Sequence, residues 1–514
     1  MRSAPSTRRR STAGITVAVA TAFALLTGCA AGVTGGGSTE PVEGGTLTVA
    51  SNLDARMDVV LAGQQGNFPW AVNVFETLTR FDKDAVPQPL LATDWEVAED
   101  GLSIDINLRD DVTFHTGRPM TANDVKFSFE TAVTPEAASQ LAFIGKQFTA
   151  IDVISDTELT ITFAKPLPTV FEFFEQAFII DQETWAGVPD GSEVVGTGPF
   201  TFESWTPGSE IRLARFDDYW GDPAYLDEIE VAIIPDSTAM VNSVRSGRAQ
   251  VAIGMSGVDI QGIMSDPGFG LATASGNVYP LGVAVDVAPF DNQQVRQAVQ
   301  YAIDRQRIAD QVFGGLAFPS VQFWSPDTPG YDESLEDSYA YDPEKAQEML
   351  EEAGAAGTAF EITVFGLEAN VAAAEVVRNN LEAVGLKPTV KVLEQATFGP
   401  LQVDANLGTS FMPLHGQNGS GAATLIERMP SIRVENNSHF SSDEFTELRA
   451  SLLSAVDQTD VEEATRAMAE FLIDEAFALP LVQYPTIAVV NNDAVDVDYT
   501  RRSYFDFSST YLQR

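Results

Sequence analysis

The sequence predicts a multidomain α/β protein, and three observations carry that reading. At 514 residues the chain is too long for one hydrophobic core, and chains of this size divide into two or three domains. The C-terminal half alternates strand-like and helix-like segments, the rhythm of a sheet with crossover helices. The N-terminal half instead carries hairpins, with turn residues between alternating runs.

In chain order, Gly45 to Ala50 alternates and is β-branched, so it reads as the first strand. Trp95 to Leu108 reads as a hairpin turning at Glu99-Asp100-Gly101, and a second hairpin spans Ala150 to Phe163 near Ser155-Asp156. Thr121 opens a helix, with Asp124 three residues on as its capping partner. Ile211 to Ala214 and Glu230 to Ile234 are strands by the same alternation. Further on, Asn292 to Val312 reads as one helix, with Val295, Ala298, Val299, Ala302 and Ile303 on one face. Asp342 caps the next helix, Pro343 sits in its first turn and Gly354 ends it. Glu361 to Phe365, Val371 to Val384 and Pro388 to Leu393 then follow as strand, helix and strand.

Hydrophobic residues make up 44 % and charged residues 20 %, a globular balance that argues against disorder beyond the N-terminal region. The net charge of -43 excludes ordinary nucleic-acid binding, which needs clustered Lys and Arg. The acidic excess either keeps the protein soluble or draws cationic solutes.

The start of the chain reads as an address. Arg2, Arg8, Arg9 and Arg10 precede the apolar or small run Ala13 to Leu26, too short for a spanning helix. Leu26-Thr27-Gly28-Cys29 follows and resembles the bacterial lipobox, in which the cysteine is lipidated and becomes the first residue after cleavage. Cys29 is the one cysteine present, so no intrachain disulfide is possible. The expectation is a signal peptide over residues 1–28, with Sec and twin-arginine export both open, and then a lipidated tether over residues 29–43. That tether, rich in Gly, Ser and Thr, reaches roughly 20 Å.

The motifs of chemistry are missing. There is no GxxxxGK[ST], GxGxxG, HExxH or GxSxG in the chain. His115, His415 and His439 are the only histidines, and none pairs with another at metal-ligand spacing. Carboxylate pairs carry no information at this composition. The expectation is therefore a protein with no catalytic residues, no metal and no cofactor.

Four segments carry a resemblance. The first is Leu91-Ala92-Thr93-Asp94-Trp95, then Asp100-Gly101, then the run Leu108 to Val125 with Leu108-Arg109, Val112, Phe114-His115, Gly117, Pro119, Thr121-Ala122 and Asp124-Val125. The second is Gly196-Thr197-Gly198-Pro199-Phe200 with Trp205 and Asp218-Tyr219-Trp220-Gly221. The third is Val295-Arg296-Gln297-Ala298 with Tyr301 to Arg305, and the fourth is Tyr341 to Ala346. Together, in this order, they resemble extracytoplasmic solute-binding protein family 5, the oligopeptide, dipeptide and nickel-binding class. On their own chemistry these motifs mark scaffold: His115 is a hydrogen-bonding turn residue, Gly196 to Pro199 a tight turn entering a strand, and Asp304-Arg305 the cap that finishes a helix.

The resemblance implies a two-lobed periplasmic-binding-protein-like fold (type II, cluster C) with an additional third domain. Lobe one is then 44–80, 195–275 and 486–514, the additional domain 81–194 and lobe two 276–485. It also implies an ABC-importer lipoprotein, monomeric, tethered outside the membrane, which closes on a solute and delivers it to permease subunits served by a separate ATPase. The solute is peptide-like; the alternative is a neutral solute such as an oligosaccharide, and a secreted hydrolase or sensing module is the remaining contrast.

Pocket candidates follow by position. They are Ser51, Asn52 and Leu53 after the first strand, Phe68 and Trp70 as stacking platforms, Trp324 in lobe two, and His415, Gln417 and Asn418. Gln417 stands where dipeptide-binding relatives carry an aspartate for the free amine, and no arginine occurs in Val364 to Ala369, where they hold the carboxylate. Nickel would need a chelating set, which His415 or His439 alone does not supply.

Overall fold

A computed structural model describes residues 41–513. The proposed signal, Cys29 and the tether up to residue 40 lie outside the described residues.

The backbone of the molecule is one mixed sheet of twelve strands. At its centre are two long strands, Phe269–Val283 and Ala478–Asn491. They run antiparallel from Phe269 opposite Asn491 to Gly282 opposite Ala478, with the register broken between Ala274 and Asn277. The chains approach so closely there that a Cβ on Gly276 would lie 2.1 Å from the Tyr484 carbonyl oxygen, so only glycine fits.

On one side of the long pair lie Val251–Ile253, Thr46–Ser51, Glu228–Ile233, Glu210–Arg215 and Phe200–Thr206. On the other lie Ser410–Met412, Ala359–Phe365 and Lys387–Leu393. Separate cores form on the two sides. Leu47, Val49, Val231, Phe75 and Phe200 belong to the first. Leu281, Val299, Ile362 and Leu479 belong to the second, beside a further cluster around Trp324, Phe440 and Phe477. The fold is thus two-lobed α/β, with the long strands passing between the lobes.

The β-α-β reading of the C-terminal half is realised by Ala359–Phe365 pairing parallel with Lys387–Leu393 across the helix Glu368–Ala383. The predicted hairpins are also present. Ala92–Val97, Ser103–Leu108, Glu158–Phe163 and Phe148–Ser155 form a separate antiparallel sheet, and Thr121 and Asp124 make a reciprocal capping box on helix Ala122–Ala132.

One helix differs from expectation. Asn292 to Val312 is two helices, Gln293–Ala302 and Arg305–Phe313. Ile303 is extended, and the Asp304 carboxylate accepts the Arg307 N–H at 2.9 Å. Asp304 therefore opens the second helix rather than closing the first, because an aspartate at an N-cap satisfies an orphan N–H. Arg305 is buried and donates to the carbonyls of Gln300 and Pro480, tying this break to a long strand.

The shared motifs sit in scaffold. The His115 backbone N–H donates to the Gly196 carbonyl at 2.9 Å, and its ring lies 3.0 Å (Nε2) from the Gly198 carbonyl and 3.3 Å (Nδ1) from the Gly196 N–H. A Cβ on Gly196 would meet the Val74 carbonyl oxygen at 1.9 Å. Glu76 is buried beneath the same region and accepts the Tyr219 hydroxyl and the Trp220 indole N–H, both at 2.8 Å. Burial outweighs these donors and pushes its carboxyl up to about 7.

Candidate functional site

Two connected cavities, of about 250 and 780 Å³, open where the long strands pass between the lobes. They share Leu53, Gln65, Phe68, Asn277 and Leu414. The first strand delivers Ser51, Asn52 and Leu53 to this wall as its hydrogen bonding ends: the Ser51 hydroxyl donates to the Leu53 carbonyl at 2.8 Å and accepts its N–H at 3.2 Å. Asn52 lies over Gly254, whose missing side chain leaves that space. Phe68 lines both cavities and packs on Tyr504, ring centroids 4.7 Å apart.

The other candidates divide. Asn418 lines the larger cavity, in a left-handed backbone conformation with φ 48°. His415 does not reach it. Its backbone bridges Val278, its side chain is buried, and its Nε2 lies 2.7 Å from the Ser431 hydroxyl. Leu414 and Gly416 face the cavities while His415 between them points inward, as alternation requires. Burial first, and then Arg428 and Arg433, push its imidazole down to about 3. Gln417 is buried and donates to the Phe323 carbonyl at 2.8 Å and to Gln483 Oε1 at 2.9 Å. It lines a different cavity, of about 220 Å³, against the same strands.

Trp70 and Trp324 are fully buried and line none of these cavities. Trp70 packs against Phe75 and Phe202, and Trp324 belongs to the lobe-two core. Neither is a stacking platform, because the largest apolar side chains contribute most when wholly withdrawn from water. His439 is an exposed loop residue, held by Asp286 and the Ala405 carbonyl. Among the described residues no group of three or more His, Cys, Asp or Glu is placed to hold a metal ion.

The electrostatics of the wall are the informative part. No charged residue lines the 250 Å³ cavity. The larger one has Asp54 and Arg56, and both are engaged. Asp54 accepts the N–H groups of Ala55, Trp205 and Gly208 at 2.7–2.9 Å. Arg56 forks onto Asp58 at 2.8–2.9 Å. What remains is neutral: Asn52, Gln65, Asn277 and Asn418, with Phe68, Tyr279 and Tyr484.

Tyr279, Tyr484, Asn277 and Gln65 were not among the candidates, since their strand and loop signals read equally as core or surface. A second unanticipated feature sits beside the loop 418–421. Arg502 is buried and paired with Glu172 at 2.9 Å, with Glu175 at 3.3 Å as an ion contact lacking hydrogen-bond geometry. Its guanidinium also donates to the Ser420 hydroxyl at 2.6 Å and the Asn418 carbonyl at 3.3 Å. Glu172 in turn accepts the Gly421 N–H at 3.0 Å, and Arg501 donates to the Gly419 and Asp327 carbonyls at 2.9 and 3.1 Å. Residues near 172, 419 and 502 are thereby clamped together.

Amide and aromatic side chains thus line cavities between the two lobes. The family model for bacterial extracellular solute-binding proteins, family 5 Middle, matches residues 86–427. The chain belongs to the bacterial extracellular solute-binding proteins, family 5. This family 5 chain is 28 % identical over 431 residues to heme-binding protein A of Haemophilus influenzae, covering 76 % of this chain and 78 % of that protein. It is 27 % identical over 454 residues to the dipeptide-binding protein of Escherichia coli, covering 78 % and 84 %. The ABC transporter-associated periplasmic binding protein DppA from Helicobacter pylori, in complex with peptide STSA, superposes with a TM-score of 0.76 at 23 % identity, covering 92 % of this chain and 99 % of that one. The role of this family 5 protein is substrate binding outside the cytoplasm. No helix among the described residues is long and apolar enough to cross a membrane.

Proposed function

We propose that this protein is the solute-capturing lipoprotein of an ABC importer, that it takes a peptide-like solute gripped through its main chain, and that it hands this solute to membrane permease subunits driven by a separate ATPase. The sparsely charged wall carries the reading: no charged residue lines the 250 Å³ cavity, and in the larger one Arg56 is paired with Asp58 and Asp54 is held by three N–H groups. A free dipeptide brings an ammonium and a carboxylate close together, and each loses its hydration on entry; burying them without counter-charges is costly. Amide side chains and backbone suit the neutral groups of a longer peptide, with water filling what remains. The name of the Escherichia coli relative, a dipeptide-binding protein, and the peptide held by the Helicobacter pylori protein support this solute class.

Closure follows hinge logic. Lobe one comprises 44–80, 195–275 and 486–514, lobe two 276–485, with 81–194 as an added domain. The register break between Ala274 and Asn277 supports a hinge there. A neutral, hydroxyl-rich solute such as an oligosaccharide is the second reading, favoured by the pairing of Asn and Gln amides with Phe68, Tyr279 and Tyr484 on one wall.

Titration calorimetry with pools of dipeptides, longer peptides and oligosaccharides tests the solute. The expected result is tightest binding in the longer-peptide pool. Dipeptides should bind at least about tenfold more weakly, since a charge-assisted anchor exceeds a neutral one by roughly 1.4 kcal/mol. Submicromolar affinity confined to dipeptides overturns the reading.

Anchoring rests on Leu26-Thr27-Gly28-Cys29, and two acyl chains give stable attachment where one is marginal. Cys29→Ser is expected to leave the protein unlipidated and shed into the medium. Membrane fractions that retain the variant at wild-type level count against the anchor.

A further inference from the structure

The 250 Å³ cavity is chemically unlike its larger neighbour. None of its lining residues is charged, in a chain of net charge -43. Leu53 reaches it from the end of the first strand, and Leu367 from just beyond the strand Ala359–Phe365, on the opposite lobe. Both are large apolar side chains left open to solvent, 43 % and 42 % exposed, while Phe68, Met255 and Tyr279 behind them are buried. Two exposed leucines that face one cavity from opposite lobes gain when an apolar group enters and the three surfaces leave water together. The size fits such a group: a cavity of about 150 Å³ lined by Leu, Ile and Phe already admits benzene. The neighbouring 780 Å³ cavity, bordered by Gln65, Asn277, Gly416 and Asn418, offers the amide and backbone groups that a main chain needs.

Building on the peptide-like reading above, we propose that the smaller cavity is a side-chain pocket selecting an aromatic or branched aliphatic residue of the solute. The solute's main chain occupies the larger cavity, and Leu53 and Leu367 determine the selectivity.

Leu367 gives a clean test. It occupies the N-cap position of helix Glu368–Ala383 with extended backbone and no side-chain cap. Aspartate is favoured at such a position, so Leu367→Asp places a charge at the pocket while improving the cap. Calorimetry compares two pools of end-capped peptides of equal length, one of Ala and Ser only, the other carrying a single Phe or Leu. For the wild type, the Phe/Leu pool is expected to bind about tenfold tighter or more. In Leu367→Asp that ratio should collapse toward one, with a Tm no lower than wild type. Equal affinity of both pools for the wild type overturns the side-chain pocket and leaves the peptide reading standing. Failure of both pools to bind overturns the peptide reading. The pocket is then judged alone by thermal shift with N-acetyl-phenylalanine amide against N-acetyl-alanine amide. A Tm rise with the first only retains it, and no rise with either overturns it.

Discussion

Replacing Arg502 by alanine is expected to cost about 3–5 kcal/mol of unfolding free energy, the range for removing one partner of a buried ion pair. The side chain is 3 % exposed and serves Glu172 and Glu175 together with two groups of the 418–420 loop. Truncation leaves Glu175 without its nearest cation; its carboxyl is already raised by burial, against the pull of Arg502. Urea denaturation at pH 7 reads the loss. A second variant separates charge from packing: Arg502→Met with Glu172→Gln and Glu175→Gln removes the buried charges on both sides and should recover a large part of the deficit, because it is the unpaired charge that is costly. A loss under about 1 kcal/mol for Arg502→Ala would show that the clamp is solvated and stabilises little.

Acidification gives the other large effect. His115 and His415 are both held neutral by burial, pushed down to about 4 and about 3. Their folded values lie below the unfolded value near 6.5. The stability each contributes is therefore present above pH 6.5, and it is lost as pH falls from there toward the folded value. Between pH 6.5 and 5 each histidine should cost about 2 kcal/mol at 1.36 kcal/mol per unit. Glu76 acts in the opposite sense. With its carboxyl raised to about 7, its contribution is complete below about pH 4.5 and is lost as pH rises through 7, so it partly offsets the histidines on acidification. Denaturation midpoints at pH 7 and 5 should thus fall for the wild type. The fall should be smaller in His415→Gln and larger in Glu76→Gln. A midpoint unchanged between pH 7 and 5 in all three proteins contradicts the burial of these groups.

Much of the architecture is legible in the amino-acid sequence alone. The crossover rhythm of residues 359–393, the hairpins of the N-terminal half and the Thr121–Asp124 box are local patterns, and local patterns depend on the period of apolar residues and on turn chemistry. The split of Asn292 to Val312 was not legible, because the apolar stripe continues through the break. Only the buried Arg305, reaching the Pro480 carbonyl, shows why the chain turns there.

For the site, sequence by itself determined the family motifs, their scaffold character and the absence of an acid at Gln417 and of an arginine in Val364 to Ala369. These are statements about which residues occur and at what spacing. Which side chains line the cavities was decided by tertiary structure. His415 and Gln417 point away from the large cavity while Gly416 and Asn418 border it. Trp70 and Trp324 are withdrawn into cores. Tyr279 and Tyr484 enter the wall from strands more than two hundred residues apart. Orientation across a cleft depends on register, strand alternation and contacts between distant segments, and none of these is recorded in the order of neighbouring residues.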